Sequence, residues 1–159
     1  MNKSIYILFT ALVLSSSLAG QEKRGYQWIM GGNSVGSGVR MNFNSTQVSI
    51  FYEQTGIKME GSNTSMCDEE GNLLFYSNGC VIVNAMGEVM QNGDSINPGI
   101  IQNFYCPFGG SPIGQGVVAI PAPESESLYY VFNLDFDFSY LEDTSFLGVA
   151  PQRLYYQVI

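Results

Sequence analysis

The stretch Cys67–Asn84 reads CDEEGNLLFYSNGCVIVN, and its pattern decides the fold class. Short apolar runs alternate in it with tight polar turns, as in consecutive antiparallel strands. In Asn72–Tyr76 strict alternation puts Leu73 and Phe75 on one face and Leu74 and Tyr76 on the other. Both faces are apolar, which predicts a strand buried on both sides. Asp68-Glu69-Glu70-Gly71 precedes it as a turn with glycine last, where a positive φ is often needed. Asn78-Gly79 follows it as a two-residue hairpin turn, with Cys80–Val83 as the returning strand.

The pattern returns at Gly116–Leu134, GVVAIPAPESESLYYVFNL. Val117–Ile120 and Leu128–Leu134 read as strands around a Pro121–Ser127 turn. Upstream, Tyr26–Met30, Val39–Phe43, Gln47–Tyr52 and Ile57–Met59 read as strands, and Leu154–Ile159 begins another. The ten Tyr, ten Phe and eighteen Gly agree with strands broken by frequent turns. No helical periodicity is sustained after residue 20. The expected class is therefore all-β. Phe75 and Val131 hold corresponding places in the two units roughly 55 residues apart, against about 40–50 for propeller blades. The excess falls in Gly93–Gly114, which contains Pro98, Pro107 and Pro112. A loop this long is either a functional excursion or held down by a crosslink.

The N-terminus has the three parts of a secretory signal peptide: Lys3, the apolar run Ile5–Leu14, and small residues up to Ala19 and Gly20. The run is about ten residues, too short to span a bilayer. The reading is a signal peptide at 1–19, with cleavage after Gly20 fitting nearly as well, followed by one domain at 20–159. Gln21 stands where a lipoprotein would carry its cysteine, so no lipid anchor is expected. The expected location is secreted or cell-surface, with no membrane insertion after cleavage. The apolar end Leu154–Ile159, lacking a closing turn, reads as a fragment that stops within or just after a strand.

Charge excludes some partners. Residues 59–152 contain no Lys or Arg and twelve acidic residues. Such a surface repels phosphate backbones and anionic membranes, so no nucleic-acid partner is expected. Histidine is absent, which removes Ser-His-Asp and Cys-His catalysis from this chain. Paired carboxylates remain: Asp135 and Asp137 share a face if extended, and Glu142 and Asp143 follow. They serve a glycosidase only across a cleft, and the simpler reading is solvated acids.

Three cysteines in an exported chain predict a disulfide with one thiol left over. A Cys80–Cys106 bond closes the irregular loop, and Cys67 reads as a buried thiol; three free thiols is the alternative. Zinc has neither histidine nor C-x-x-C spacing here. No cofactor is expected. Asp68, Glu69, Glu70 and Asn72 offer oxygens to calcium in one turn, but without the spacing of an EF-hand loop, and an exposed acidic hairpin is the plainer reading. Tyr105, Phe108, Phe136, Phe138 and Tyr140 are either a glycan-stacking platform or packing residues.

A family resemblance is carried by Asp68, Gly71-Asn72-Leu73-Leu74-Phe75-Tyr76-Ser77-Asn78-Gly79, then Met90-Gln91-Asn92-Gly93, then Ile120-Pro121-Ala122-Pro123 and Tyr129-Tyr130-Val131-Phe132. Trp28, Met41-Asn42-Phe43-Asn44 and the sub-pattern Asn78-Gly79-Cys80 with Asn92–Gly99 accompany them. These motifs resemble the N-terminal region of secreted Bacteroidota surface proteins, which commonly end in a type IX sorting domain or a gliding-motility-associated module. The resemblance covers nearly all of the chain after the signal. It implies antiparallel meander blades of an incomplete β-propeller-like domain, of the WD-repeat or kelch-like kind, within a larger protein. Asp94-Ser95-Ile96 resembles the short O-glycosylation acceptor of that phylum, with Ser95 as acceptor.

The expected function is a non-enzymatic binding or display module of an exported protein. Its partners would be a glycan or surface protein and the downstream domains of its own polypeptide. The alternatives are part of an extracellular carbohydrate-active hydrolase and a structural spacer without a ligand.

Overall fold

The computed structural model describes residues 23–32, 37–136 and 153–159. The signal segment, Asp137, Phe138, Tyr140, Glu142 and Asp143 lie outside them. Among the described residues nine strands form three antiparallel three-stranded sheets, each a plain meander. The first sheet contains β1 (Gln27–Met30), β2 (Gly38–Asn42) and β3 (Ser49–Glu53). The second contains β4 (Thr64–Cys67), β5 (Leu73–Ser77) and β6 (Ile82–Asn84). The third contains β7 (Val117–Pro121), β8 (Tyr129–Asp135) and β9 (Arg153–Val158). The fold is all-β, with a 3₁₀ turn at Lys23–Gly25 and a π-helical turn at Ile101–Tyr105 as the helical pieces among the described residues.

The sheets stack face to face. Between the first and second lies an apolar layer of Ile29, Met59, Cys67, Leu73, Tyr76 and Val83. Between the second and third lie Met66, Phe75, Ile82, Ile96, Val117, Tyr129 and Val131. The second sheet is thus buried on both faces, as the apolar run around Phe75 requires. The opening strands lie together: β1 packs against β4, and β4 against β7. Polar groups tie these strands. Ser65 Oγ donates to the Gln27 carbonyl at 2.8 Å, and Thr64 Oγ1 accepts from the Ala119 N–H at 3.2 Å.

Three details differ from strict pattern reading. A β-bulge opposite Met66 and Cys67 shifts the register, pairing Met66 with Phe75 but Cys67 with Leu73. The extra residue reverses the faces beyond it. Leu73 therefore packs with Tyr76, and Leu74 packs with Phe75. The β5–β6 turn pairs Ser77 with Ile82, so Asn78 and Gly79 open a four-residue turn, not a two-residue one. Ile57–Met59 is not a strand. The Met59 side chain is buried, but its N–H reaches the Gly32 carbonyl at 3.2 Å and the Glu60 N–H reaches Gly109 at 3.0 Å. With loops for neighbours, it has no ladder to join.

Candidate functional site

The loop between the second and third sheets builds the most elaborate surface. Its start is pinned by motif residues. Gly93 accepts from the Ile82 N–H at 2.7 Å, and a side chain at Gly93 would meet the Ile82 carbonyl at 2.6 Å. Ile96 is buried and its N–H bonds the Cys80 carbonyl at 3.1 Å. The chain then makes its π-helical turn, closed by the Cys106 N–H on the Ile101 carbonyl at 3.0 Å. That turn brings Cys106 to Cys80, and the two form a disulfide with 5.6 Å between Cα atoms. Beneath it Cys80, Ile101 and Phe136 form a third apolar cluster, joined by Tyr105 and Ile113. The expected pairing is the observed one, and Cys67 is the free buried cysteine.

Beyond the disulfide, Gly109–Ser111 threads between two segments. The Ser62 N–H donates to the Ser111 carbonyl and the Ser111 N–H to the Asn78 carbonyl, each at 2.9 Å. Gly110 has φ +117, and a Cβ there would sit 2.6 Å from the Asn78 carbonyl oxygen. Only glycine fits such a position.

A cleft of about 370 Å³ opens beside the disulfide, lined by Lys58, Asn78, Asp94, Gln102, Cys106 and Pro107 among others. Its wall combines a cation, an anion and two amides. Lys58 Nζ donates to the Pro107 carbonyl at 3.3 Å. Gln102 Oε1 is buried without a hydrogen-bond partner among the described residues. The segment 101–108 that supplies part of this wall also carries two strongly exposed rings, Phe104 and Phe108.

This sorts the aromatics proposed from sequence. Phe108 is 70% exposed, and Phe104, which sequence reading passed over, is 64% exposed. Phe136 is a correction: at 2% exposure it is a core residue with no ring face for a ligand. Tyr105 packs edge-on against it at 5.6 Å between centroids. Its spacing to Phe108 showed only that both lay in one irregular segment. The π-helical turn decides which rings face out.

A second cleft of about 330 Å³ lies at the junction of the second and third sheets, walled by Leu74, Phe75, Met90, Tyr129 and Ile159 with Asp68 and Glu126 also lining it. Nearby, in the acidic turn at Asp68–Gly71, Asp68 and Glu69 engage neighbours within the fold. Asp68 Oδ1 and Oδ2 accept from the Asn72 backbone and side-chain N–H groups at 2.7 and 2.9 Å. Slight desolvation pushes the Asp68 carboxyl upward, but these hydrogen bonds outweigh it and hold it below its ordinary value. Glu69 pairs with Arg24 at 2.8 Å. Of the residues singled out for calcium, Asp68 and Glu69 thus turn oxygens toward internal donors.

Asp135 is 2% exposed and faces Arg153 at 3.7 Å. At this residue the solvated acid favoured from sequence is corrected: Asp135 is buried because it closes the inward face of β8 and pairs with Arg153. Ser95 is exposed, with φ 51, and donates to Asp94 at 3.2 Å. It is open to modification.

No family model, curated protein or solved structure matches this chain.

Proposed function

We propose that the chain is a non-enzymatic binding or display module of an exported surface protein, built as consecutive blades of a β-propeller. The observation that carries this reading is the stacking of three successive meanders whose opening strands β1, β4 and β7 lie side by side. Propeller blades are arranged in this way around an axis. β1 begins at residue 27, β4 at 64 and β7 at 117, steps of 37 and 53. The longer step contains the disulfide-tied loop, so the blade proper keeps an ordinary length and the excess is decoration. An isolated bridge between Val83 and Val89 adds the start of a fourth strand to the second sheet, and four strands is the usual blade. The sequence resemblance to N-terminal regions of Bacteroidota surface proteins supports the same compartment and architecture.

The ligand-facing surface in this reading is the disulfide-tied loop, with Phe104 and Phe108 as stacking rings and Lys58, Asp94 and Gln102 as polar partners in the adjacent cleft. Rings beside convergent polar groups are the ordinary chemistry of a sugar site. The test is a glycan array probed with the full chain and with a Phe104→Ala, Phe108→Ala double variant. A reproducible glycan set that the variant loses supports the reading. Identical glycan binding by both proteins would move the site off these two rings, and no binding to any glycan turns the reading toward a spacer.

A further inference from the structure

We infer that the outer faces of the first and third sheets are the two halves of one interface, by which a second copy of this chain docks head to tail. The sheets stack in chain order, with the second buried on both sides. The outer faces of the other two therefore lie at opposite ends of the stack. Both are apolar, and neither is covered among the described residues.

The register shows how complete each face is. Ile29 is buried toward the second sheet, so its neighbours Trp28 and Met30 point the other way. Pairing sets Trp28, Met41 and Ile50 in one row and Met30, Val39 and Tyr52 in the next. Trp28 is 50% exposed and Tyr52 93%. On the third sheet, β8 buries alternate residues and turns Tyr130 and Phe132 outward. They sit in the rows Val118-Phe132-Tyr156 and Ile120-Tyr130-Val158. The rings of Tyr130, Phe132 and Tyr156 cluster at 6.1–6.2 Å between centroids. An antiparallel sheet with one face in water carries polar residues there. These rows hold no polar group beyond the tyrosine hydroxyls and the indole N–H, and contiguous apolar patches mark interaction sites.

Packing and charge select the occupant. Sheet face already meets sheet face through an apolar layer twice within the chain. Another copy's first sheet on the third sheet repeats that arrangement. Residues 23–58, which contain the first sheet, carry Lys23, Arg24, Arg40 and Lys58 against Glu53. Residues 59–152, which contain β7 and β8, carry twelve acidic residues and no Lys or Arg. Glu124 and Glu126 stand exposed in the β7–β8 turn. First on third thus sets a basic end against an acidic one, whereas either face on its own kind sets like charge on like. Two different patches make the contact heterologous, so copies close into a ring or continue as a series.

The inference does not depend on a glycan ligand. The test is light scattering coupled to gel filtration, with the full chain and two variants that each block one face. Ile50→Lys with Tyr52→Lys blocks the first sheet, and Val118→Lys with Tyr156→Lys blocks the third. Wild type should associate with rising concentration, as a closed pair or a longer series. Each variant alone should need at least about tenfold more protein to do so. Their equimolar mixture should form a pair that grows no further, because one intact face of each kind remains. Trp28, the chain's one tryptophan, lies on the first face, so its emission should shift to the blue as wild type associates. A second pair, Trp28→Lys and Leu154→Lys, gives the same mixing test if a first variant fails to fold. A wild-type monomer at high concentration leaves these faces to some other partner and overturns the inference. So does wild-type association by either variant alone, which means like faces pair, or a mixture of folded variants that stays monomeric.

Discussion

Asn78 Nδ2 donates to the Lys58 carbonyl at 2.9 Å, while its Oδ1 accepts from the N–H groups of Cys80 at 3.0 Å and Val81 at 3.1 Å. One buried amide thus shapes the β5–β6 turn and clamps the segment that passes it. Replacing Asn78 with Ala leaves two N–H groups and one carbonyl unmet in a buried place. The expected loss is about 2–4 kcal/mol, measured as a lower urea midpoint at unchanged slope. Asn78→Asp keeps the acceptor and loses the donor, so it should fall between wild type and Ala.

Removing the Cys80–Cys106 crosslink should also destabilise. The bond spans 26 residues, and closing a loop of that size contributes roughly 3–4 kcal/mol in the chain-entropy model. The double Cys→Ser variant should lower the melting temperature and loosen the 93–114 loop to proteolysis. Mass spectrometry of non-reduced peptides should show Cys80 joined to Cys106; a Cys67–Cys80 peptide would contradict the structure.

Cys67 supplies a pH prediction. Burial pushes its thiol above the ordinary value of 9.0, against hydrogen bonds from Gln27 and Tyr26 that pull it down. The folded state therefore holds this proton more tightly than the unfolded chain. The contribution is complete below the ordinary thiol value and is lost as pH rises through the folded one. Stability should decline above about pH 9, and Cys67→Ala should flatten that limb relative to wild type. At neutral pH iodoacetamide should label Cys67 only as fast as the protein opens.

The two outer sheets predict self-association. Val118, Ile120, Leu154, Tyr156 and Val158 are exposed on the third sheet, and Ile50, Phe51 and Tyr52 on edge strand β3. The register puts Val118, Phe132 and Tyr156 in one row and Ile120, Tyr130 and Val158 in the next, an apolar sheet face without a cover among the described residues. Exposed apolar faces and edges aggregate. Light scattering should show concentration-dependent association, and Ile50→Lys with Tyr156→Lys should reduce it. A monodisperse wild-type monomer at high concentration would count against this.

Gly110→Ala tests the threaded segment. A side chain there meets the Asn78 carbonyl in a backbone conformation with φ +117, so the strain joins a steric clash. The variant should lose at least about 2 kcal/mol, and an Asn78→Ala background should relieve little of it, because the carbonyl oxygen and Cβ that the new side chain meets are still there.

The linear pattern by itself determined most of the strands, though not β4 at Thr64–Cys67 and not the loop at Ile57–Met59. Alternation in Val39–Phe43, the apolar run at Leu73–Tyr76 and the aromatic run at Tyr129–Phe132 are local signals, and each falls on a strand save for Phe43, one residue past the end of β2. The disulfide was legible too, because three cysteines and one long irregular loop leave few sensible pairings. What needed the tertiary structure depends on contacts between distant segments. The bulge that exchanges Leu73 and Leu74 exists only against Met66 and Cys67. The exposure of Phe104 beside half-buried Tyr105 comes from a π-helical turn whose position is set by the crosslink. The amide hydrogen bonds from Asn133 and Gln157 to the Ile96 carbonyl, and from Asn97 to the Leu134 carbonyl, join residues up to 61 positions apart. No sequence window reports such bonds, because they form only when the second and third sheets pack with the 93–114 loop between them. Periodicity records which face a side chain takes; burial and hydrogen bonds record what that face meets, and only packing sets them.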